Sequence, residues 1–336
     1  MTAVTAAPSR PARRLGGLWW VTWRQHRFVM LGVVVLLAAL GTLLVVNGIA
    51  MHNDYHRLGL DTCGSTQSRQ CNVAFEIFNH RYVGIVQFLP RVLLFIPALL
   101  GAFVGAPLVA RELETGTFRF AWTQGTNRVR WVVAKLVLLA GGLAVLGLAF
   151  SMLFTWWFHL WIPYMGRMQS GQAYELEGTV FTARILFGFA LGAFLGALIR
   201  RTVPAMAATL ALWVGVVLPS VLYLRPLIQT PVIARDSTDA VTRNGWTIES
   251  WFQDQSGKRI SGQTIDNVLR SEFTTPQQAK TGGLDQLLAK HGYTAWVKYQ
   301  PDGRFWHFQI VETAAYVALT LLLGSATVWW VRRRTT

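Results

Sequence analysis

The sequence predicts an all-α integral membrane protein of six transmembrane helices, with both termini cytoplasmic and a long extracytoplasmic loop domain between spans five and six. Three observations lead there. Of 336 residues, 52% are apolar and 14% charged, with a mean hydropathy of +0.35, a balance foreign to a water-soluble globule. The apolar residues gather in blocks of about 20, the length a helix needs to cross a core of about 30 Å in which lipid offers no partner to a backbone group. The basic residues, which give a formal net charge of +15, flank those blocks instead of forming one soluble stretch. They therefore suit anionic headgroups, and no nucleic-acid partner is expected.

Residues 1–27 form a basic N-terminal segment. Within it Leu15, Leu18, Trp19 and Trp23 share one helical stripe, and Arg24 and Arg27 gather at its end. This stretch is either an interfacial elbow helix or a lengthening of the first span. The first span runs from Phe28 to Met51. It exceeds the roughly 7 to 15 residues of a signal-peptide core and is read as retained. The others follow at Gln87–Val109, Val132–Trp156, Val180–Ile199, Pro204–Leu224 and Gln309–Val331. Residues 28–224 thus hold five spans and a connecting segment at about 110–131, and 309–336 hold the sixth span and a basic tail.

Orientation follows from lysine and arginine, which resist translocation. With the N-terminus inside, the inner segments collect Arg10, Arg13, Arg14, Arg24, Arg27, Arg111, Arg119, Arg128, Arg130, Lys135, Arg200, Arg201 and Arg332 to Arg334. The two short outer loops hold only Arg57, Arg69, Arg81 and Arg167. Ten tryptophans, among them Trp20, Trp23, Trp131, Trp157, Trp161, Trp306 and Trp329, fall near predicted span ends, where an indole suits the headgroup zone. The only cysteines, Cys63 and Cys71, share the first outer loop, on the side where a disulfide persists; a loop staple is favoured over two separate thiols.

Residues 225–308 carry mixed charge and break the run of spans, so they form the outer domain. Short helical patterns appear at Ile265–Phe273 and Leu284–His291, and a turn at Pro301-Asp302-Gly303. Apolar residues are too few for a strong independent core, so the domain is expected to lean on the adjoining helix ends.

Three sets of residues invite a chemical reading. In the segment after span two, Gly116 and Gly125 bracket a piece in which Phe118, Ala121 and Trp122 recur at helical spacing. It is either an interfacial connector or a docking knob, its apolar face filling a groove while Arg111, Glu112 and Glu114 fix orientation. Gly101 with Gly105, and Gly188 with Gly192 and Gly196, repeat every fourth residue and mark close helix contacts, either static within one chain or moving between two. Arg91, Arg184 and Glu312 lie at the outer ends of their spans, as gate or pathway groups with Glu312 paired to an arginine, or as side chains snorkelling to headgroups.

Other chemistries find less support. His52-Asn-Asp54-Tyr-His56 offers ligand spacing, but a polar loop produces that easily and no second cluster accompanies it, so no metal is assigned. No phosphate-binding Gly-x-x-x-x-Gly-Lys pattern, His-Glu-x-x-His motif or nucleophile elbow occurs, so the chain is not expected to be an enzyme or to hydrolyse ATP by itself.

Arg111-Glu112-x-Glu114-x-Gly116-Thr117, followed by Thr123, Arg130 and Lys135, resembles the permeases of type-two ATP-binding-cassette exporters. Gly192 to Pro204 is similar to the fourth-span exit of that family. Tyr299-Gln300-Pro301-x-x-Arg304-Phe305-Trp306-x-Phe308-Gln309-x-x-Glu312 resembles a signature of its actinobacterial members. The resemblance implies that Arg111, Glu112, Glu114, Gly116, Thr117, Phe118, Trp122 and Arg128 belong to a coupling helix that contacts a separate cytoplasmic ATPase. It further implies a second permease copy or a related permease, ATP and Mg held by the ATPase and no cofactor on this chain, and residence in a bacterial cytoplasmic membrane. A membrane sensor or scaffold with a ligand-binding outer loop is the alternative, with an intramembrane enzyme behind it.

Overall fold

The computed structural model describes residues 15–63, 69–116, 127–168, 173–235, 245–272 and 288–334. Among them, six helical stretches are long and apolar enough to cross a membrane: Thr22–Arg57, Arg69–Thr115, Arg128–Met165, Val180–Ile199, Thr202–Leu227 and Asp302–Arg333.

Helix α1 runs unbroken from Leu15 to Arg57. No glycine or proline lies between Trp20 and Phe28 to part an interfacial piece from the span, so residues 15–27 lengthen it and no separate elbow forms. The second span also starts earlier than hydropathy suggests. Helix α2 covers Arg69–Leu93, so most of the expected outer loop is helix, and a short turn closed by the Cys63–Cys71 disulfide (Cα atoms 5.7 Å apart) joins α1 to α2. Polar residues end lipid contact without ending a helix: Asp54 of α1 accepts from Arg81 (2.5 Å) and from the Tyr82 hydroxyl (2.7 Å) of α2.

After α2 the chain turns at Leu94 and Phe95 before α3 (Ile96–Leu100), because Pro97 in the first turn of α3 has no N–H to continue the ladder. A π-turn at Gly101–Gly105 leads into α4 (Ala106–Thr115), which stops where Gly116 adopts φ 71°. Helix α5 (Arg128–Phe158) begins at Asn127, whose side chain accepts from the Val129 N–H at 2.9 Å. Helix α6 covers Val180–Ile199 and α7 Thr202–Pro219, the latter extended by a π-turn at Ser220–Leu224.

The membrane part is all helical, and the loop domain adds a four-stranded antiparallel sheet that the sequence reading did not contain. Its strands are β1 (Val232–Arg235), β2 (Gly245–Gln253), β3 (Arg259–Ile260) and β4 (Thr294–Pro301), in the order β1-β4-β2-β3. Trp246, Trp251 and Phe252 on β2, with Trp296, Val297 and Tyr299 on β4, supply the aromatic and branched residues that favour strands. Helix α8 (Gly262–Glu272) overlaps the first helical pattern of this region; of the second, residues 284–287 lie outside the described residues. Helix α9 (Phe305–Arg334) follows β4 through one tight turn.

Helix α6 is the axis of the bundle. It is apolar on all sides and almost wholly buried, touching α3, α4, α5, α7 and α9. The others expose large apolar side chains, such as Phe28, Phe103, Met152, Val203 and Leu321, as lipid-facing helices must. Three tryptophans expected in the headgroup belt are instead packing residues. Trp131, Trp157 and Trp161 are buried, and the Trp157 N–H donates to Asn47 across the α1–α5 contact at 2.9 Å. Trp20, Trp23, Trp306 and Trp329 remain exposed.

The two glycine series face one another within this chain. A methyl on Gly101 would stand 2.5 Å from the Gly188 carbonyl oxygen, and methyls on Gly192 and Gly196 would run into the backbones of Gly101 and Ala106. These faces are thus spent on the α3–α4 contact with α6 and do not await another subunit. Gly192→Ala should destabilise the protein by about 1–3 kcal/mol through overpacking. A methyl on Gly215 of α7 meets nothing within 4 Å, so Gly215→Ala should be neutral or slightly stabilising. Thermal unfolding in detergent of both variants checks the difference in sign.

Candidate functional site

At the end of the bundle that carries the loop domain, four ionised side chains meet away from solvent. Arg184 enters from the second turn of α6, Arg225 from the turn after α7, Glu312 from α9, and Glu175 from the 173–179 loop leading into α6. None is more than 5% exposed. Arg225 binds Glu312 in fork geometry, Nε to Oε1 at 2.5 Å and Nη2 to Oε2 at 3.1 Å, while its Nη1 reaches Glu175 Oε1 at 2.6 Å. Arg184 closes the ring, with Nη1 on Glu175 and Nη2 3.2 Å from Glu312 Oε2. The Tyr174 hydroxyl donates to Glu312 Oε1 at 3.2 Å, and its ring lies 4.2 Å from the Arg225 guanidinium.

Two positive and two negative groups make a neutral cluster, which is the condition under which charges persist in a dry site. Burial opposes ionisation of Glu175, but the two guanidinium groups outweigh it and hold its carboxyl well below the ordinary glutamate range. Nearby Glu177 shows the opposite balance: burial raises it, and the single Arg167 partner, 2.7 Å away through Nε, offsets only part of the effect.

A buried amide holds this arrangement in place. Gln309 Oε1 accepts from the N–H groups of Thr179 (3.1 Å) and Val180 (3.0 Å), capping α6, while Nε2 donates to the Tyr174 and Glu177 carbonyls at 3.0 Å each. Asp302 accepts from the N–H groups of Arg167 and Met168 at 2.8 and 2.9 Å. Gln300 Nε2 and Arg304 Nη1 donate to the Gln229 and Thr230 carbonyls at 2.6 and 2.8 Å. Phe305 and Phe308 pack with Met168 and Tyr174 against Trp246 and Ile228. The loop domain is therefore fastened to the bundle by the stretch from Gln300 to Glu312, and it leans on the helix ends.

The structure thus joins Arg184 and Glu312, and neither snorkels outward. Arg91 is exposed on α2 and takes no part in the cluster. Glu175 and Arg225 were missed. Arg225 directly follows an apolar block, and two arginines beside one intramembrane glutamate leave a charge imbalance that calls for a second acid, so both carried a faint signal. The proposed ligand spacing at residues 52–56 is otherwise used: Asp54 pairs with Arg81, and the His52 ring stacks on Trp156 with centroids 4.9 Å apart.

At the opposite end, two of the expected docking residues, Glu112 and Glu114, are bound within the chain. Glu112 forms an ion pair with the buried Lys135 of α5, whose ammonium also lies 4.3 Å from the Trp131 ring. Glu114 Oε2 accepts from the Thr202 N–H (3.0 Å) and hydroxyl (2.7 Å), capping α7. Arg111 is exposed, Gly116 ends α4, and Arg128 opens α5. Thr117, Phe118 and Trp122 lie outside the described residues. Glu112 and Glu114 therefore fix the roots of the connecting segment.

Six apolar spans, one of them a buried central helix, with the buried charges among the described residues gathered in neutral sets, define a multi-pass helical membrane protein. The chain belongs to the ABC-2 membrane transporter related family, whose model matches residues 34–225, more than half of its length. Membership makes it the membrane component of a transport system, not itself a catalyst, and implies an ATPase partner. No curated protein and no solved structure matches the chain. The family match ends at Arg225, so the cluster joins the shared part to a helix beyond it.

Removing one member leaves a buried charge without its full complement, so Glu312→Gln should cost about 3–5 kcal/mol of stability. Removing the Arg184–Glu175 pair as Arg184→Met with Glu175→Leu leaves the neutral Arg225–Glu312 pair, and this double variant should be more stable than either single one. Unfolding of the four proteins of that cycle checks it. Because the native value of Glu175 is depressed, its contribution is complete above the ordinary glutamate value of 4.5 and is lost as pH falls below it; a melting profile from pH 7 to 3 reads this out.

Proposed function

We propose that the chain is the permease subunit of an ATP-driven exporter in a bacterial cytoplasmic membrane, working with a second permease copy and two ATPase subunits. ATP and Mg would belong to those subunits. Family membership carries this reading, supported by the segment between Gly116 and Asn127, whose two roots are anchored by Glu112–Lys135 and Glu114–Thr202. In the proposed orientation that segment and both termini face the cytoplasm, and the disulfide and the sheet domain face outward. A force from the ATPase on the segment moves α4, whose backbone is seated on α6 through the glycine contacts. The far end of α6 bears Arg184, so displacement of α6 strains the ion cluster and alters the closure of that end. The turn at Leu94–Phe95, before the glycine contacts begin, gives the second span a place to bend. The actinobacterial likeness fits the same picture, since Gln300, Arg304, Gln309 and Glu312 of that motif bind the loop domain to the gate.

Co-expression with the ATPase encoded beside it, followed by purification in detergent, should recover the two together. Glu114→Gln should keep ATPase binding but lower transport-coupled ATP hydrolysis, since it loosens the α4–α7 joint without stranding Lys135. Sidedness is open to a separate test: both cysteines are bonded, so Arg111→Cys introduces a thiol that an impermeant maleimide should leave unlabelled in intact cells and label in lysed ones. Labelling in intact cells overturns the orientation and with it the ATPase contact.

A further inference from the structure

A groove of about 500 Å³ opens on the bundle surface between α5 and α9. Its walls run from Val129 to Ala140 on α5 and from Thr320 to Arg332 on α9, and its floor is Phe189 and Ala190 of the central helix. The walls cover 12 residues on α5 and 13 on α9, which is 11 and 12 rises of 1.5 Å, or about 16–18 Å. That matches one leaflet of a hydrocarbon core of about 30 Å. The groove thus begins at the end of the bundle where α5 starts and α9 stops, and it closes about half-way along α9.

Among the described residues, its lining is apolar apart from the hydroxyls of Thr320 and Ser325 and one charged side chain, Arg332, and it includes no carboxylate. Arg332 belongs to the last turns of α9, at the groove mouth, where the neighbouring Arg333 guanidinium sits 5.2 Å from the Trp329 ring centroid. Arg128 and Arg130 occupy the first turn of α5 at the same level. The depth is kept open by Gly324, where an added methyl would meet nothing within 4 Å.

From this we infer that the groove is a binding site for one anionic phospholipid of the leaflet at the terminal end, an acyl chain lying between α5 and α9 and the phosphate-bearing headgroup held at Arg332. The argument rests on charge complementarity at the mouth and on a length equal to a single leaflet. A second copy of the chain would have no reason to match that depth or to prefer a rim of arginines. The site requires only that the helices cross a bilayer, so it stands or falls apart from ATPase coupling.

The test uses the full chain reconstituted in nanodiscs with equal phosphatidylglycerol and phosphatidylcholine, extracted into mild detergent and examined by native mass spectrometry. One phosphatidylglycerol per chain should remain, favoured over phosphatidylcholine by about fivefold, the preference one basic residue near an anionic surface supplies. Arg332→Gln should bring the ratio toward one, and Arg332→Lys should preserve it. Gly324→Leu fills open space and should abolish retention of either lipid while melting like the parent protein. Equal retention of the two lipids by the parent, or retention unchanged by Gly324→Leu, overturns the site. So does a parent dimer without lipid that Gly324→Leu dissociates, since the groove is then a subunit interface.

Discussion

Four ionised side chains buried together tolerate few arrangements, and the one adopted here constrains most of what surrounds it. Arg184, Arg225, Glu175 and Glu312 come from four separate stretches of chain, so the cluster forms only when α6, the end of α7, the start of α9 and the 173–179 loop are all in place. Neutrality is as important as contact. A charge without its counter-charge is penalised far more in a dry interior than on a surface, where an ion pair contributes about 0–1 kcal/mol at most. The cluster is for that reason better understood as a specification of geometry than as a source of net stability: it makes competing helix registers costly. Gln309 serves the same end, spending every hydrogen-bonding capacity of its amide on the loop and the first turn of α6.

The glycine seam works by a different physical route. Lipid tails give helices no hydrophobic reason to associate, so association depends on close packing and backbone approach. Helix α6 therefore presents glycine to glycine where α3, the π-turn and α4 cross it, and the resulting contact is backbone against backbone. A contact of that kind has little side-chain freedom to absorb movement. The unit formed by the π-turn, α4 and α6 is consequently stiff, and the break in the second span falls before it, at Leu94–Phe95. On the coupling proposed above, that stiff unit carries a displacement of α4 toward the ion cluster.

The sequence disclosed the spans because the requirement for about 20 apolar residues is a one-dimensional rule. Val180–Ile199 was legible to the residue, since both ends coincide with the apolar limits. The excess lengths of α1 and α2 were not, because hydropathy registers contact with lipid while helix continuity depends on the absence of breakers. The buried Trp131, Trp157 and Trp161 illustrate a related limit: an indole near a span end suits the headgroup zone and a helix interface equally, and only the partners decide. Strands in the loop domain escaped notice because polar and charged residues such as Thr247, Glu249, Lys298 and Gln300 interrupt their aromatics, a mixture that resembles a polar loop. Of the site, Arg184 and Glu312 stood out as intramembrane charges, whereas Glu175 lies outside every apolar block and becomes buried only through the tertiary fold.

The two ends of the molecule use carboxylates in opposite ways, and the contrast bears on how such a protein moves. At the loop-domain end, the glutamates are locked between arginines that cannot shed their charge, so near neutral pH the cluster breaks by physical separation of its members. At the other end, Glu114 is exposed and holds α7 by hydrogen bonds to a single threonine, a joint that water replaces readily. The same end also holds the ion pair of Glu112 with the buried Lys135, so α4 is fastened to α5 by charge and to α7 only by exchangeable hydrogen bonds. On the exporter reading proposed above, a push on α4 would loosen its joint with α7 first, and the ion cluster at the far end of α6 would part as a unit or not at all.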